Sequence, residues 1–288
     1  MIIINTKKLF IIPFFFLSLG IQVANASPSI SITPSEVIQG EPVLIQIDEA
    51  KLSDIQRLSF EGKKLNVFNY KNKPTALLGI DLNKKAGDYK ILLNLVSGIS
   101  TSSILTVKAR EKYVTYLAVP EKLGGNSTSS QTKVISTLAQ ENAILAVIKT
   151  FARNLWTKPF IYPISNPIVT DPYGFSRTSG AASITHKGAD FKAIEGTKVV
   201  AMNRGIVRIA RTLTVYGKII VIDHGYGVMS FYIHLSKIKV NVGELVQQGQ
   251  LIGYSGSTGY STGPHLHLSM RIGNISIDPI KFLNLFTR

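Results

Sequence analysis

The chain has 288 residues, 45% of them hydrophobic and 17% charged, a balance that can bury a core and excludes a disordered or collagen-like polypeptide. It contains no cysteine, which excludes a disulfide framework, a thiolate-ligated zinc, a thiol nucleophile and an acylated N-terminal cysteine. Lysine and arginine number 32 against 17 acids, a formal charge of +15, so the expected partner is anionic: nucleic acid, a membrane surface or a wall polymer.

Lys7 and Lys8 precede an apolar run over residues 9–23, followed by Ala24-Asn25-Ala26. A basic start, an apolar centre and a small-x-small ending are the layout of a secretory signal peptide, so residues 1–26 read as an address. The run is 15 residues long, short of the roughly 20 that a spanning helix needs. The competing reading is an uncleaved anchor, which would give transient membrane association. The expectation is export to the periplasm or cell envelope, with a mature chain starting near Ser27. Little nucleic acid is available there, so the nucleic-acid reading is set aside.

Residues 27–110 read as short strands: Ser29–Thr33, 43–47, 89–96 and 103–107, punctuated by turns at Gln39-Gly40, Glu61-Gly62 and Ser97-Gly98. This spacing predicts a small antiparallel, Ig-like β-sandwich. It holds no histidine and no cluster of titratable groups, so it is expected to position or bind rather than catalyse. Residues 111–155 form a linker. Within it, residues 113–119 suggest a strand, residues 121–130 a polar loop, and apolar side chains at Val134, Leu138, Leu145, Ile148 and Ala152 a helix over 131–154. Pro159 and Pro163 are expected to end it, and the all-apolar run 143–148 could instead be a buried strand. Residues 156–288 alternate glycines with β-branched runs and predict a β-rich domain without helical periodicity. The overall class is therefore mainly β. The basic excess also lies in this half, where residues 153–288 carry 15 basic and 6 acidic side chains.

All five histidines, His186, His224, His234, His265 and His267, fall in this last segment. In Pro264-His265-Leu266-His267-Leu268 a strand projects both imidazoles from one face and both leucines from the other. Such a pair suits a metal site, or one ligand beside one acid–base group. His186-Lys187-Gly188-Ala189-Asp190 adds an imidazole and a carboxylate, with Gly188 marking a tight loop before a strand at Ala189–Lys192. Two histidines and an aspartate make a donor set suited to catalytic zinc, with a fourth position for water. His234 closes a predicted strand, where it can face a cleft without being buried. His224 precedes Gly225-Tyr226-Gly227 and reads as a residue that stabilises a turn. There is no His-Glu-x-x-His, Gly-x-Ser-x-Gly, Walker loop or Gly-x-Gly-x-x-Gly. The only glutamates after residue 153 are Glu195 and Glu244, neither beside a candidate ligand, so any general base is expected to be an imidazole.

These residues resemble one family, the lysostaphin-type zinc endopeptidases that cut peptides of peptidoglycan. The resemblance runs over residues 160–282. It rests on His186-Lys187-Gly188-Ala189-Asp190-Phe191, Gly196-Thr197-Lys198-Val199-Val200-Ala201, Val221-Ile222-Asp223-His224-Gly225 and Tyr232-Ile233-His234-Leu235-Ser236. It continues through Gly253-Tyr254-Ser255-Gly256-Ser257-Thr258-Gly259, Ser261-Thr262-Gly263-Pro264-His265-Leu266-His267 and Asp278-Pro279. It implies a β-rich catalytic core, a duplicated hybrid motif barrel, with one Zn2+ in a groove held by His186, Asp190 and His267. It further implies His234 and His265 as the catalytic pair, hydrolysis by water activated at the zinc, and peptidoglycan as partner. The order of β module, helical linker and catalytic domain is similar to that of Gram-negative envelope hydrolases. Within 169–177 the chain keeps the family's glycine and arginine as Gly174 and Arg177, but has Tyr173 where phenylalanine is usual, a change expected to be harmless. The main rival is a wall-binding activator of an amidase without catalysis of its own. Others are a surface adhesin and a zinc peptidase for ordinary proteins. Residues 27–155 are also candidates for covering the groove and restraining the enzyme.

Overall fold

The computed structural model describes residues 27–116, 118–179 and 182–286; the expected signal peptide, residues 1–26, lies outside them. The N-terminal half holds β1 (Ser29–Thr33), β2 (Glu36–Ile38), β3 (Pro42–Asp48), β4 (Ile55–Phe60), β5 (Lys63–Lys64), β6 (Val67–Tyr70), β7 (Lys73–Gly79), β8 (Gly87–Leu95) and β9 (Ser100–Lys108). They form two sheets in the orders β1-β3-β7-β6 and β2-β9-β8-β4-β5. Alternation fills the space between them. Val43, Ile45 and Ile47 of the first sheet meet Leu58, Ile91, Leu93 and Leu105 of the second in one apolar cluster.

The strands β4, β6 and β7 fall in a stretch for which the sequence offered only the turn at Glu61-Gly62, and for β7 the reason is burial on both faces. In β7 every residue after Lys73 is buried. The outer face of the first sheet, through Leu44, Phe68, Tyr70 and Leu77, joins the core of the C-terminal half. Trp156 is the centre of that seam, 1% exposed, with ring centroids 5.5 Å from Phe68, 5.1 Å from Tyr70 and 5.2 Å from Phe160. A strand buried on two faces loses the polar–apolar alternation that identifies it in sequence.

The connection contains β10 (Val114–Tyr116), shorter than the expected 113–119, and α1 (Thr128–Ala146). Ser127 caps α1, its hydroxyl accepting the Ser130 N–H at 3.2 Å. The helix begins three residues before the expected 131–154 and stops eight residues short. Its end is set by tertiary bonds and not by Pro159. Asp223 draws out the following backbone by accepting the Thr150 hydroxyl at 2.6 Å and the Phe151 N–H at 3.0 Å. Residues 143–146 of the all-apolar run are helical, not a strand.

The C-terminal half adds β11 (Val169–Asp171), β12 (Ser176–Ser179), β13 (Ala182–Thr185), β14 (Ala189–Lys192), β15 (Lys198–Val200), β16 (Gly205–Leu213), β17 (Gly217–Gly225) and β18 (Val228–Leu235). There follow β19 (Lys237–Ile238), β20 (Leu245–Val246), β21 (Leu251–Tyr254), β22 (His265–Ile272), β23 (Ile275–Ile277) and α2 (Pro279–Asn284). The large sheet runs β11-β14-β22-β18-β17-β16-β20, with β23 beside β22. One face, including Ile220, Ile222, Tyr232, Leu266 and Leu268, packs into the main core. The opposite face carries Ile219, Val221, Phe231 and Ile233, over which Leu145 of α1 is laid. The helix α2 corrects the expectation of no helix here. Asp278 accepts the Ile280 and Lys281 N–H groups at 2.9 and 3.3 Å, and Pro279 takes the first turn, a start signal too short to show a period.

Candidate metal centre

The strand β14 runs antiparallel to β22 with Asp190 directly opposite His267. Cross-strand partners on one face hold their side chains close together, so register alone brings the carboxylate to the imidazole. Alternation sends Leu266 and Leu268 into the core and turns His265 and His267 the other way, as the sequence predicted. His186 enters from the loop before β14. Gly188 lets that loop pass, because a Cβ there would stand 2.4 Å from His267 Nε2 and 2.5 Å from the Leu268 carbonyl oxygen.

The result is a compact triangle. His186 Nε2 lies 3.1 Å from Asp190 Oδ1 and 3.0 Å from His267 Nδ1, and His267 Nδ1 lies 2.8 Å from Asp190 Oδ1. His186 Nδ1 donates to the Pro172 carbonyl at 2.9 Å, which leaves its Nε2 as a lone pair aimed inward. Burial pushes the His267 imidazole down to about 4, against the pull of Asp190. Burial alone would raise the Asp190 carboxyl, but the electrostatic pull of the His267 and His186 rings against it holds it well below the usual carboxylate range. The aspartate's other oxygen is occupied, since Arg177 Nη2 bridges Asp190 Oδ2 at 2.5 Å and Asp171 Oδ2 at 2.6 Å. Three electron-pair donors therefore converge from neutral nitrogens and one anionic oxygen. That is an unfavourable assembly by itself and a fitting one for a divalent cation such as zinc.

Two further imidazoles border the triangle. His265 Nδ1 donates to the Gly263 carbonyl at 2.8 Å, and its Nε2 stands 3.7 Å from Asp190 Oδ1. His234 Nδ1 donates to the Thr258 carbonyl at 2.8 Å, and its ring centroid is 5.0 Å from that of His265 and 5.9 Å from that of His267. Burial, joined by the charges of His267 and His265, holds His234 well below its ordinary value. Contrary to the expectation of an unburied strand end, His234 is 7% exposed. It reaches the site through an irregularity. Strict alternation would send it into the main core with Tyr232, but Leu235 takes that side instead. The switch occurs at His234 itself, whose φ is +62°, a left-handed conformation costly for a side chain with a Cβ. The pairing of β17 with β18 shifts register between Tyr232 and Leu235.

His224 stays out of the site. It lies within β17, not in a turn, with no exposure. Its Nδ1 donates to the Arg204 carbonyl at 2.9 Å, and its Nε2 accepts the Ser230 hydroxyl at 2.8 Å. Sequence reasoning gave no role to Arg177, although its motif was visible, nor to Thr258, Gly263 and Pro172, which act through backbone carbonyls. It also missed Glu141 of α1. That side chain is 5% exposed, and its carboxylate accepts the N–H groups of Thr214, Val215 and Tyr216 at 2.6, 3.0 and 3.1 Å. The carbonyl of Tyr216 in turn accepts the His234 N–H at 3.2 Å.

Hollows lie on both sides of the cluster. One, of about 370 Å³, is bounded by His186, His234, His267, the β16–β17 turn and Leu138 and Asn142 of α1. The other, of about 230 Å³, is bounded by Asp171, Asp190, residues 260–264 and His265. An extended chain laid across both would pass over the triangle.

Comparison with known proteins places this geometry. Residues 184–279 match the sequence profile of peptidase family M23. Over 96 residues the chain is 42% identical to the peptidoglycan DD-endopeptidase ShyA of Vibrio cholerae, covering 33% of this chain and 22% of that one. It is 40% identical over 95 residues to the DD-carboxypeptidase/endopeptidase Mpg of Neisseria meningitidis, covering 33% and 22%. It is 41% identical over 105 residues to lysostaphin of Staphylococcus staphylolyticus, covering 34% and 22%. The chain thus matches between a fifth and a quarter of the length of these curated relatives. A crystal structure of an M23 peptidase-family protein from Pseudomonas aeruginosa superposes with a TM-score of 0.57 at 25% identity, covering 87% of this chain and 96% of that one.

Proposed function

Because the chain belongs to peptidase family M23 through residues 184–279, we propose that it is an exported zinc endopeptidase that hydrolyses peptide cross-links of bacterial peptidoglycan. The observation that carries this reading is the triangle of His186, Asp190 and His267, with ligand atoms 2.8–3.1 Å apart and two more imidazoles at its edge. The relatives named for action on peptidoglycan supply the substrate class. The basic C-terminal half suits an anionic wall polymer.

His186, Asp190 and His267 hold one zinc ion in this reading, and Arg177 fixes the carboxylate so that one oxygen remains for the metal. When bound, zinc polarises the scissile carbonyl and lowers the pKa of a coordinated water towards about 7. His265 accepts the proton of the attacking water at Nε2, the nitrogen left free by the bond to Gly263, and returns it to the leaving amine. Such general acid–base help is typically worth about 10²–10⁴-fold. The bond from His234 Nδ1 to Thr258 makes its Nε2 an acceptor too. His234 therefore shares the proton transfer, and it donates to the developing oxyanion only after taking up a proton.

The remaining parts follow the same reading. Residues 1–26 direct export to the periplasm or cell envelope, residues 27–110 are an Ig-like module that positions the enzyme, and residues 156–288 are the catalytic domain. The presence of all five site residues weighs against a wall-binding amidase activator without catalysis. The deciding experiment is mass spectrometry of fragments released from purified sacculi, with and without a chelator. Chelator-sensitive release of peptide fragments is expected. No release, or release that a chelator leaves untouched, would overturn the proposal.

A further inference from the structure

The 370 Å³ cavity beside the triangle has an uneven charge. Among the described residues that line it there is no aspartate or glutamate, whereas Arg177, Lys187 and Arg271 are there. Arg177 is committed to Asp171 and Asp190. Arg271 has no acidic partner within ion-pair distance among the described residues. Its guanidinium lies 4.6 Å over the Phe231 ring, and Nη1 makes one long bond, 3.4 Å, to the Leu145 carbonyl in the last turn of α1. Glu141, on the same helix as Leu145, gives its carboxylate to the N–H groups of residues 214–216. Tyr216 is no anion either. Its hydroxyl donates to Asn142 Oδ1 at 2.8 Å, and burial pushes it up to about 12. Burial also lowers the Arg271 guanidinium below its ordinary value, so the site disfavours the charge that it contains.

We propose that Arg271, with Lys187 at the rim, is an anion-binding subsite that takes a carboxylate of the peptide substrate away from the scissile bond. The inference rests on the peptidase reading above and adds to it a determinant of specificity. A guanidinium offers five donors in a planar fork, and a carboxylate accepts two of them in parallel. Capping Leu145 uses only one. The cation–π face against Phe231 holds the plane of the fork while leaving its edge free. Lys187 is exposed, and its backbone carbonyl is held by the hydroxyls of Ser269 and Ser276 at 2.6 and 3.1 Å, which fixes its start beside the same cavity. Arg271 and His267 share one face of β22 four residues apart, about 13 Å between Cα atoms at the usual strand rise. The carboxylate recognised is therefore one separated from the scissile carbonyl by several residues or by a long side chain.

The test uses the full chain and one pair of substrates, cross-linked muropeptides with free carboxylates and the same muropeptides after amidation. The wild type is expected to show a kcat/KM at least about tenfold higher for the free form, the scale of a buried charge-assisted pair. In Arg271→Gln the ratio should fall to near one, with the zinc content unchanged. Arg271→Lys keeps the charge but loses the fork, and should fall between. A wild type that cuts both forms equally overturns the subsite and leaves the peptidase reading standing. So does an Arg271→Gln or Arg271→Lys variant that keeps the full ratio, or a variant that slows both forms alike, which would mark Arg271 as a cap of α1 alone. Hydrolysis of neither form by the wild type overturns the peptidase reading, and the subsite with it.

Discussion

The two halves of the molecule are made of the same material, short antiparallel strands with one face turned inward, yet they treat polar groups differently. Between residues 27 and 110 the buried polar side chains are Glu41, Ser59 and Thr75, and the space between the sheets is filled by aliphatic and aromatic residues. From residue 156 onward the buried polar set includes His186, Asp190, Asp223, His224, His234, Ser261 and His267. Burying such groups is costly unless each finds a partner. The second half has the larger core and a second apolar layer under α1, and so can carry that cost. The residues proposed for chemistry thus lie in the half that holds polar groups out of water.

The largest test of this contrast removes a ligand. His267→Ala and Asp190→Ala are expected to abolish both zinc content, read by metal analysis, and hydrolysis of sacculi. Loss of a ligand removes the electrophile and the activated nucleophile together, so the effect should exceed the roughly 10²–10⁴-fold of a single acid–base group. His265→Ala should keep its zinc and lose activity within that smaller range. A zinc-free His265→Ala would break the division between ligands and proton carrier. The same change in the sandwich, for instance Lys73→Ala at its exposed pair with Asp48, should leave both readings untouched.

Next in size is the connection between the halves. Glu141→Ala strips a buried acceptor from three N–H groups of the loop that holds His234, at a cost of about 1–3 kcal/mol for the groups left unsatisfied. Activity is expected to fall about tenfold with zinc retained, because a shift in the Tyr216 carbonyl moves the His234 backbone, and misplaced catalytic groups lose rate steeply. Truncation to residues 156–288 should act in the same direction, since it uncovers the face that Leu145 shields. The open cavity beside α1 favours this helix as a wall of the groove and not as its plug. Higher specific activity in the truncated protein would reverse that assignment and make residues 27–155 a restraint.

What could be read in the sequence follows from how local each determinant is. The His265–His267 pair, the loop at Gly188 and β14 depend on a period of two and on one turn, and all were legible, as was β22 to its end residues. The entry of His234 depends on a register shift and a positive φ against β17, which no local pattern encodes; only the strand end was visible. Arg177 was seen as part of a motif, but its bridging of two carboxylates needs the register of β11 on β14. The strand β7 was obscured because both of its faces are buried, one against a domain that lies eighty residues further on. The end of α1 was hidden because its cause, Asp223, is equally distant.

A last contrast between the halves is one of stability against pH and leaves activity at neutral pH untouched. His224 is fully buried between Arg204 and Ser230, and burial lowers it to about 4, whereas in the unfolded chain it titrates near 6.5. Below that unfolded value the unfolded state binds the proton first, so the contribution of neutral His224 is complete above about pH 6.5 and is lost as pH falls towards 4. A difference of about 2.5 units corresponds to roughly 3 kcal/mol. The sandwich has no histidine. Its Asp48, lowered first by the hydrogen bond from Lys73 and then by that from Ser31, keeps its contribution until the pH drops below the ordinary carboxylate range. Denaturant melts of the wild type and of His224→Asn between pH 7.5 and 4 isolate the effect. The wild type should lose stability across the window, while the variant, less stable at the start, should lose less by about that amount, with zinc content at pH 7 the same in both. Equal slopes would mean that His224 contributes nothing to the acid sensitivity of the C-terminal half, which would then rest on its other buried imidazoles, His234 and His267.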